Sequence, residues 1–338
     1  MSNLPSVSVV ILNWNGLGHL QQFLPSVCSS IFPNLQIIVG DNASTDNSVA
    51  FIRDNYPQIR VIVNETNYGF AGGYNKVLEQ IDSDYFILLN SDVEVQPDWI
   101  QPVIELMETD FDIAAAQPKI LSFKEQDKFE YAGAAGGFLD VFGYPFCRGR
   151  IFDTVEFDHG QYNDVREIFW ASGAALFVKK EKWIEIGGLD EDFFAHMEEI
   201  DLCWRLKNKG YKIMYCPDSI VYHLGGGTLN AENPFKTYLN FRNNLFLIQK
   251  NLPFIQAVLI IFCRFWLDLL SAFKFLLDGK VKDANAVRKA HISFFKMIFI
   301  TSSKARKIST SSFNPTGKIR RSVVWQYFVL KKKTFNSL

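Results

Sequence analysis

The sequence predicts an α/β fold in which a mostly parallel central sheet is flanked by helices and followed by a helical C-terminal appendage. Short apolar stretches of strand length alternate with stretches of helical periodicity in the first part of the chain, which is typical of βαβ units. Tyr85–Leu89 is apolar without alternation, as expected for a strand buried on both faces. At 338 residues, 48% of them hydrophobic, the chain can bury a large core.

The strands and helices alternate from the amino terminus onwards. Strands are predicted at residues 7–12, 35–39, 60–63 and 85–89, and helices at residues 17–29, 48–55 and 70–81. Each strand is followed by polar residues, namely Asn13 and Asn15, Asp41, Asn67, and finally Asn90 and Asp92. Right-handed βαβ units bring the carboxyl ends of their strands to one edge, where ligands bind in such folds. The sequence therefore predicts a nucleotide-binding site at this edge.

Asn90-Ser91-Asp92 follows the strand at 85–89 and is a candidate metal site. A carboxylate and an amide oxygen suit a hard divalent cation such as Mg²⁺, which in turn suits a diphosphate. The alternative for this tripeptide alone is an Asx-type turn that ends the strand. The polar ends of the other three strands favour the metal interpretation.

The first connection between strand and helix excludes a dinucleotide-binding oxidoreductase. That class needs Gly-x-Gly-x-x-Gly directly after its first strand. Here residues 13–18 are Asn-Trp-Asn-Gly-Leu-Gly, which does not supply the turn. The glycine-rich stretch at 69–73 follows the third strand instead.

The net charge of −1 conceals two oppositely charged parts. Residues 1–234 contain 33 acidic and 16 basic residues, whereas residues 235–338 contain 19 basic and 3 acidic residues. A basic segment suits nucleic acid or an anionic membrane surface. Its many aromatic and aliphatic residues favour the membrane, so no nucleic acid partner is expected. The five cysteines form no CxxC pair and the amino terminus has no signal-peptide pattern, which predicts a cytoplasmic protein.

A series of motifs in a fixed order covers about residues 6–245. They lie at residues 9–15, 39–46, 67–75, 89–92, 170–174, 187–194 and 198–205, with His223 after them. On these motifs the chain resembles the family 2 glycosyltransferases, which have the GT-A fold. It is most similar to the rhamnosyltransferase-like members of bacterial polysaccharide assembly. The resemblance implies an inverting, metal-dependent sugar transfer that uses Mg²⁺ or Mn²⁺.

The resemblance also implies roles for the residues at the predicted edge. Asp41 corresponds to the residue that contacts the nucleotide base, and Asn13 and Asn15 line the same pocket, while Asn67 and Gly69 lie over the ribose and diphosphate. Asn90-Ser91-Asp92 occupies the metal-binding Asp-x-Asp position, and His223 matches a histidine that can complete the metal shell. Because Asn90 replaces one carboxylate of the strict motif, Asp92 is expected to do most of the metal binding.

A second carboxylate is needed as a base for the acceptor hydroxyl. Residues 193–201 offer Glu198, Glu199 and Asp201 on a predicted helix. Asp201 lies four residues before Arg205 and is assigned to structure. Glu199 heads a mostly apolar stripe, so burial should raise its pKa. The resemblance places the base at the second residue of a Glu-Asp pair, which falls on Glu199, and the choice between Glu198 and Glu199 stays open.

Two further expectations concern the acceptor side and the tail. Trp170 is expected to form an acceptor-side wall, although an aromatic residue on an apolar segment often lies in the core. Residues 246–338 are expected to form a basic, aromatic-rich appendage on the membrane surface, with residues 302–312 as a linker. Arg264, Asp268 and Lys274 interrupt its apolar part, which argues against a membrane span. The alternative is that these helices pack on the catalytic domain or across a dimer.

The predicted protein is thus a catalytic domain at residues 1–245 with an appendage at residues 246–338. Its expected activity is inverting transfer of a sugar, with rhamnose the leading candidate, from a dTDP-, UDP- or GDP-linked donor to a glycan or lipid-linked acceptor in cell-surface polysaccharide synthesis. Its expected location is peripheral, on the cytoplasmic face of the cell membrane. The alternative is a non-catalytic nucleotide-sugar-binding or scaffold protein of the same fold, since Asn90 and the Glu198-Glu199 pair depart from the family pattern.

Overall fold

A computed structural model describes residues 4–225, 233–304 and 315–338. Its first part alternates strands and helices as the sequence predicts. The elements are β1 (Val7–Asn13), α1 (Leu17–Cys28), β2 (Leu35–Asp41), α2 (Ser48–Asn55), β3 (Arg60–Val63), α3 (Gly69–Leu78) and β4 (Tyr85–Leu89). All five residues of β4 are buried, which confirms the prediction from its unalternated apolar sequence.

The second part of the predicted catalytic domain adds further strands and three helices. The elements are β5 (Val93–Val95), α4 (Ile100–Glu108), β6 (Ile113–Ser122), β7 (Gly137–Leu139), β8 (Pro145–Cys147), β9 (Arg150–Ile151), β10 (Thr154–Val155), β11 (Arg166–Ile168), β12 (Ala175–Lys179), α5 (Lys180–Ile186), α6 (Glu198–Asn208) and β13 (Lys212–His223). The register of β13 shifts between Cys216 and Ile220, so the chain bends before it delivers His223.

The central sheet has nine strands in the order β11-β13-β6-β12-β4-β1-β2-β3, and β5 pairs with β13. Strands β3, β2, β1 and β4 are parallel, as predicted. Strand β12 is antiparallel to both β4 and β6. Its amino end therefore meets the carboxyl end of β4, with Ala175 opposite Leu89. A four-stranded antiparallel sheet of β7 to β10 lies apart from the central sheet.

Three long helices follow: α7 (Pro234–Asn251), α8 (Phe254–Leu277) and α9 (Val281–Lys304). Helices α8 and α9 both pack against α7, and α7 itself packs against α6. The predicted domain boundary between residues 245 and 246 falls inside α7. Within the predicted linker, residues 305–312 lie outside the described residues.

The C-terminal segment, residues 315–338, returns to the catalytic region. Leu139 donates its N–H to the Gly317 oxygen at 3.1 Å and accepts from the Ile319 N–H at 2.8 Å. The ring of Phe335 lies 4.7 Å from the ring of Phe138. The Phe335 ring therefore packs against the small sheet, where an aromatic side chain is more stable than in water.

Candidate active site

The carboxyl ends of β1 and β2 form one wall of the site. Asn13 stands directly opposite Asp41 in the parallel register, and its Nδ2 donates to Asp41 Oδ1 at 3.0 Å. Asp41 Oδ2 accepts from the Ser44 N–H at 2.9 Å, so the carboxylate is held from two sides. Asn13 Oδ1 is buried and has no partner among the described residues. An acceptor left unpaired in such a place is available to a ligand.

Asn15 serves the same loop in a different way. Its backbone adopts a left-handed conformation with φ of 51°. Its Oδ1 accepts from the Thr45 N–H at 2.7 Å, and its own N–H donates to Ser44 Oγ at 2.9 Å. Asn15 therefore ties the loop after β1 to the loop after β2.

Asn67 and Gly69 lie at the start of α3, where the chain approaches residues 190–197. Asn67 Oδ1 accepts from Asn42 Nδ2 at 2.8 Å and from the Gly69 N–H at 2.9 Å. Gly69 has φ of +71°, and a Cβ there would lie 2.7 Å from the Phe194 ring. Both its backbone and this close approach require glycine. The Phe70 N–H donates to the Phe194 oxygen at 2.9 Å, which joins α3 to the segment before α6.

Asp92 and His223 meet on the other side of the site. His223 Nε2 lies 3.2 Å from Asp92 Oδ1 and 3.4 Å from Asn90 Nδ2. His223 Nδ1 lies 3.2 Å from Glu130 Oε2, although it is not aligned well enough for a hydrogen bond. Asp92, His223 and Glu130 are all buried.

Burial opposes a charge on His223, but its contacts with Asp92 and Glu130 outweigh burial and raise its pKa to about 10. Burial likewise disfavours ionisation of Asp92, yet the contact with His223 is the stronger influence and lowers the pKa of that carboxyl. Each charge in this pair therefore stabilises the other.

Two glutamates begin α6 after a left-handed residue, Met197, with φ of 76°. Glu198 is 4% exposed, whereas Glu199 is partly exposed, although its Oε2 is buried. Neither Oε2 atom has a partner among the described residues. Burial raises the pKa of Glu199 to about 7. Burial, together with the charge of Glu199, raises the pKa of Glu198 well above its ordinary value.

Glu199 lies at the carboxyl edge of strands β1, β2 and β4. Its Cβ lies 3.9 Å from where a Cβ on Gly173 would stand, in the loop that leads into β12. Asp201, by contrast, accepts from Arg205 Nε at 2.6 Å and from Asn251 Nδ2 at 2.7 Å. The prediction that Asp201 is structural is confirmed.

Trp170 does not form the predicted acceptor-side wall. Its side chain is 4% exposed, and its Nε1 donates to the Phe138 oxygen at 3.0 Å. The ring also covers Gly137, where a Cβ would lie 2.1 Å from it. Trp170 therefore belongs to the core between the central and the small sheet. The direction of a side chain on an irregular segment cannot be derived from the sequence alone.

Sequence reasoning missed three residues that support the site. Glu130 lies beside His223 in a loop without secondary structure, and Arg242 and Asn243 contact the segment before α6 from α7. The one available signal was the polar run at 242–244. Nothing local marks Glu130.

Comparisons with known proteins give a consistent result. The family model described as Glycosyl transferase family 2 matches residues 8–157. The N-acetylglucosaminyl-diphospho-decaprenol L-rhamnosyltransferase of Mycobacterium tuberculosis is 26% identical over 233 residues, which cover 64% of this chain and 75% of the relative.

Two solved structures share the fold. GalNAc-T7 with UDP, GalNAc and Mn²⁺ superposes with a TM-score of 0.55 at 17% identity, covering 74% of this chain and 48% of the other. The mannosyltransferase PcManGT from Pyrobaculum calidifontis, in complex with GDP-Man and Mn²⁺, superposes with a TM-score of 0.51 at 12% identity. The superposition covers 92% of this chain and 83% of the other.

The raised pKa of Glu199 predicts how stability depends on pH. Between its ordinary pKa of 4.5 and about 7, folded Glu199 holds a proton that the unfolded chain releases, so stability falls as the pH rises through this window. Glu199→Gln cannot ionise and lacks this loss. Its free energy of unfolding relative to wild type should therefore rise by on the order of 1 kcal/mol or more between about pH 5 and pH 8.

Urea unfolding at a series of pH values measures this difference. Glu65→Gln, at an exposed glutamate before Asn67, controls for the loss of one carboxyl group. A difference between Glu199→Gln and wild type that does not change with pH would contradict the raised pKa.

Proposed function

The chain belongs to the family 2 glycosyltransferases and has the GT-A fold, and on this basis we propose that it transfers rhamnose with inversion from a dTDP-linked donor to a lipid-linked glycan. One observation carries the proposal. The Asn13–Asp41 pair, the Asp92–His223 pair and the partly exposed Glu199 all lie at the loops on the carboxyl edge of one sheet. The sugar and acceptor are proposed from the M. tuberculosis relative, whose name specifies both.

The donor is proposed to lie along this edge with its base at Asp41. The Asp41 carboxylate suits the N–H groups of a pyrimidine base, and the unpaired Asn13 Oδ1 offers a further acceptor. Asn15 holds the two loops together, while Asn67 and Gly69 border the region of the ribose and diphosphate. UDP- and GDP-linked sugars are the alternatives that a binding screen separates.

The residues around Asp92 fit a divalent cation, Mg²⁺ or Mn²⁺. His223 Nε2 and the Asp92 carboxylate converge, and Glu130 lies at the other ring nitrogen, the usual arrangement around a metal-ligating histidine. No group of three His, Cys, Asp or Glu side chains forms a complete metal site among the described residues, as expected for a cation that keeps water and phosphate ligands. We assign Asp92 and His223 as ligands, and His223 would release its proton when the cation binds. When bound, the cation would bear the charge of the departing diphosphate.

Asp92→Ala, which removes the carboxylate, should abolish the dependence of donor binding on divalent cations. Asn90→Ala should weaken it less, because a neutral amide contributes less to cation binding than a carboxylate. A thermal-shift screen of dTDP-, UDP- and GDP-sugars, with Mg²⁺, with Mn²⁺ and with chelator, measures both variants and identifies the donor. Equal shifts for wild type and Asp92→Ala with and without chelator would rule out this ligand assignment.

Glu199 is the better candidate for the base. Its side chain is partly exposed next to Gly173, whereas Glu198 is buried. In the proposed reaction the acceptor oxygen forms its bond to the anomeric carbon while the bond to the diphosphate oxygen breaks. Glu199 takes the acceptor proton on a carboxylate oxygen. A pKa of about 7 makes that carboxylate more basic than an ordinary glutamate and leaves about half of it ionised near neutral pH.

Glu199→Gln should lower turnover by about a hundredfold or more, with donor affinity near wild type. The amide keeps the shape of the side chain but cannot accept the proton. Glu198→Gln is the matched control on the adjacent residue. Radiolabelled sugar transfer to the lipid-linked acceptor gives turnover, and calorimetry gives donor affinity. An active Glu199→Gln and an inactive Glu198→Gln would exchange the two roles, and no transfer by wild type with any donor would favour a non-catalytic binding protein.

Helix α8 is proposed to attach the protein to an anionic membrane surface on the cytoplasmic side. It is 24 residues long, and by length and composition alone it could cross a bilayer. Arg264 and Asp268, which interrupt its sequence, are buried against the protein. The outward face is therefore apolar over most of its length, including Phe262, Trp266 and Phe273. Lysine and arginine residues of the C-terminal part suit the lipid headgroups.

Polar substitution of this face tests attachment. Phe262→Ser with Trp266→Ser and Phe273→Ser should lose most of the co-sedimentation with anionic liposomes, while high salt should release the wild type because exposed charges are screened. Ile184→Ser, at an exposed apolar residue of α5, is the control. Truncation near Asn251 is unsuitable, because α9 packs on α7. Wild-type pelleting that resists alkaline carbonate would indicate an inserted helix, and unchanged pelleting of the triple variant would exclude the α8 face.

A further inference from the structure

The segment before α6 has an unusual backbone. Three of its non-glycine residues have left-handed conformations, Phe194 with φ of 63°, His196 with φ of 67° and Met197 with φ of 76°. Such conformations are uncommon outside glycine. When several occur together, the surrounding structure must hold them in place, and such strain concentrates at functional sites. The segment ends where Glu198 and Glu199 begin α6.

Asn243 of α7 holds this segment. Its side chain is fully buried, and its Nδ2 lies within hydrogen-bond distance of three backbone carbonyl oxygens. The acceptors are the oxygens of Phe193 at 2.9 Å, Ala195 at 2.9 Å and His196 at 2.7 Å. The amide has two N–H groups, so the three carbonyls share them. One side chain thereby fixes the carbonyls of the strained turn.

Arg242 supports Asn243 from the adjacent position. Its Nε donates to Asn243 Oδ1 at 2.9 Å, which turns the amide so that its N–H groups face the segment. Its Nη2 donates to the oxygens of Asp192 at 3.2 Å and Phe193 at 3.1 Å. The guanidinium also packs over the rings of Tyr238 and Phe246. Arg242 and Asn243 thus form one hydrogen-bonded unit.

The same segment also contacts the donor side of the site. The Phe194 oxygen accepts from the Phe70 N–H at 2.9 Å, and the Phe194 ring fills the space over Gly69. The segment therefore connects the start of α3 to the start of α6. Its backbone conformation determines how Glu199 stands relative to Gly69.

We propose that Arg242 and Asn243 are positioning residues that hold residues 192–197 so that Glu199 faces the acceptor hydroxyl beside the bound donor. This rests on the proposed role of Glu199 as the base. Neither residue contacts a group assigned to the reaction: Asn243 contacts the backbone of the segment, and Arg242 contacts that backbone, Asn243 and the rings of Tyr238 and Phe246. A purely structural role would stabilise the fold without affecting the geometry of Glu199.

Asn243→Ala and Arg242→Gln test this proposal, with Asn244→Ala as the matched control. Asn244 is as buried as Asn243, but its Nδ2 donates to the Gly143 oxygen at 2.7 Å, away from the segment. Each variant is assayed for turnover across pH, for donor affinity and for thermal stability. Asn243→Ala and Arg242→Gln should lose about tenfold or more in turnover with donor affinity within about twofold. The acidic limb of the pH profile of turnover should move to lower pH than in wild type. A loosened segment admits water to Glu199, and hydration lowers the pKa of a buried carboxyl group.

Asn244→Ala should lose stability but keep its turnover and pH profile. The proposal is overturned if folded Asn243→Ala has wild-type turnover and an unmoved acidic limb, or if Asn243→Ala and Asn244→Ala lose turnover to the same extent for the same loss of stability. Should Asn243→Ala fail to fold, Arg242→Gln decides by the same criteria. An active Glu199→Gln would overturn the base assignment and this proposal together, whereas an inactive Glu199→Gln with a normal Asn243→Ala would overturn this proposal alone.

Discussion

The parallel pairing of β1 with β2 and β4 determines where every other part of the site lies. Register places Asn13 opposite Asp41 and brings Leu89 level with Ile11, so the loops after three strands open at the same edge. The antiparallel strand β12 adds the loop before its amino end to that edge, because Ala175 pairs with Leu89. The proposed donor side, built from parallel strands, therefore meets the proposed acceptor side, built from an antiparallel connection, without any long excursion of the chain.

Buried polar groups of two kinds bear on the candidate site. In α7 they are paired, as Asn243 and Asn251 are with carbonyl and carboxylate oxygens. At the edge of the sheet, Asn13 Oδ1 and the Oε2 atoms of Glu198 and Glu199 have no described partner. An unpaired buried polar group costs about 1–3 kcal/mol. Paired groups stabilise the framework, and the unpaired ones, which lower stability, are where a polar ligand gains most from binding.

The sequence predicted the elements whose formation depends on local pattern. Strands β1 to β4 and the polar residues after them follow from apolar runs of strand length, so Asp41 and Asp92 were found together with their edge. The short strands β7 to β10 have two or three residues each and give no periodic signal. Glu130 and Asn243 act through contacts with residues far away in sequence, and the burial of Trp170 depends on Gly137, which approaches it only in the folded chain.

The buried charges of α8 bear on whether this helix would lie on a membrane or cross it. Arg264 lies over the Tyr144 ring at 3.7 Å and donates to Asp268, whose other oxygen lies 3.0 Å from His291 Nε2. A helix that crossed the bilayer would have to take both charges away from Tyr144 and His291, at about 2.5–3.5 kcal/mol for each charge at the bilayer centre. On a membrane surface α8 would keep these contacts and present a mostly apolar face. The pairing that holds α8 to the protein thus favours surface attachment over spanning.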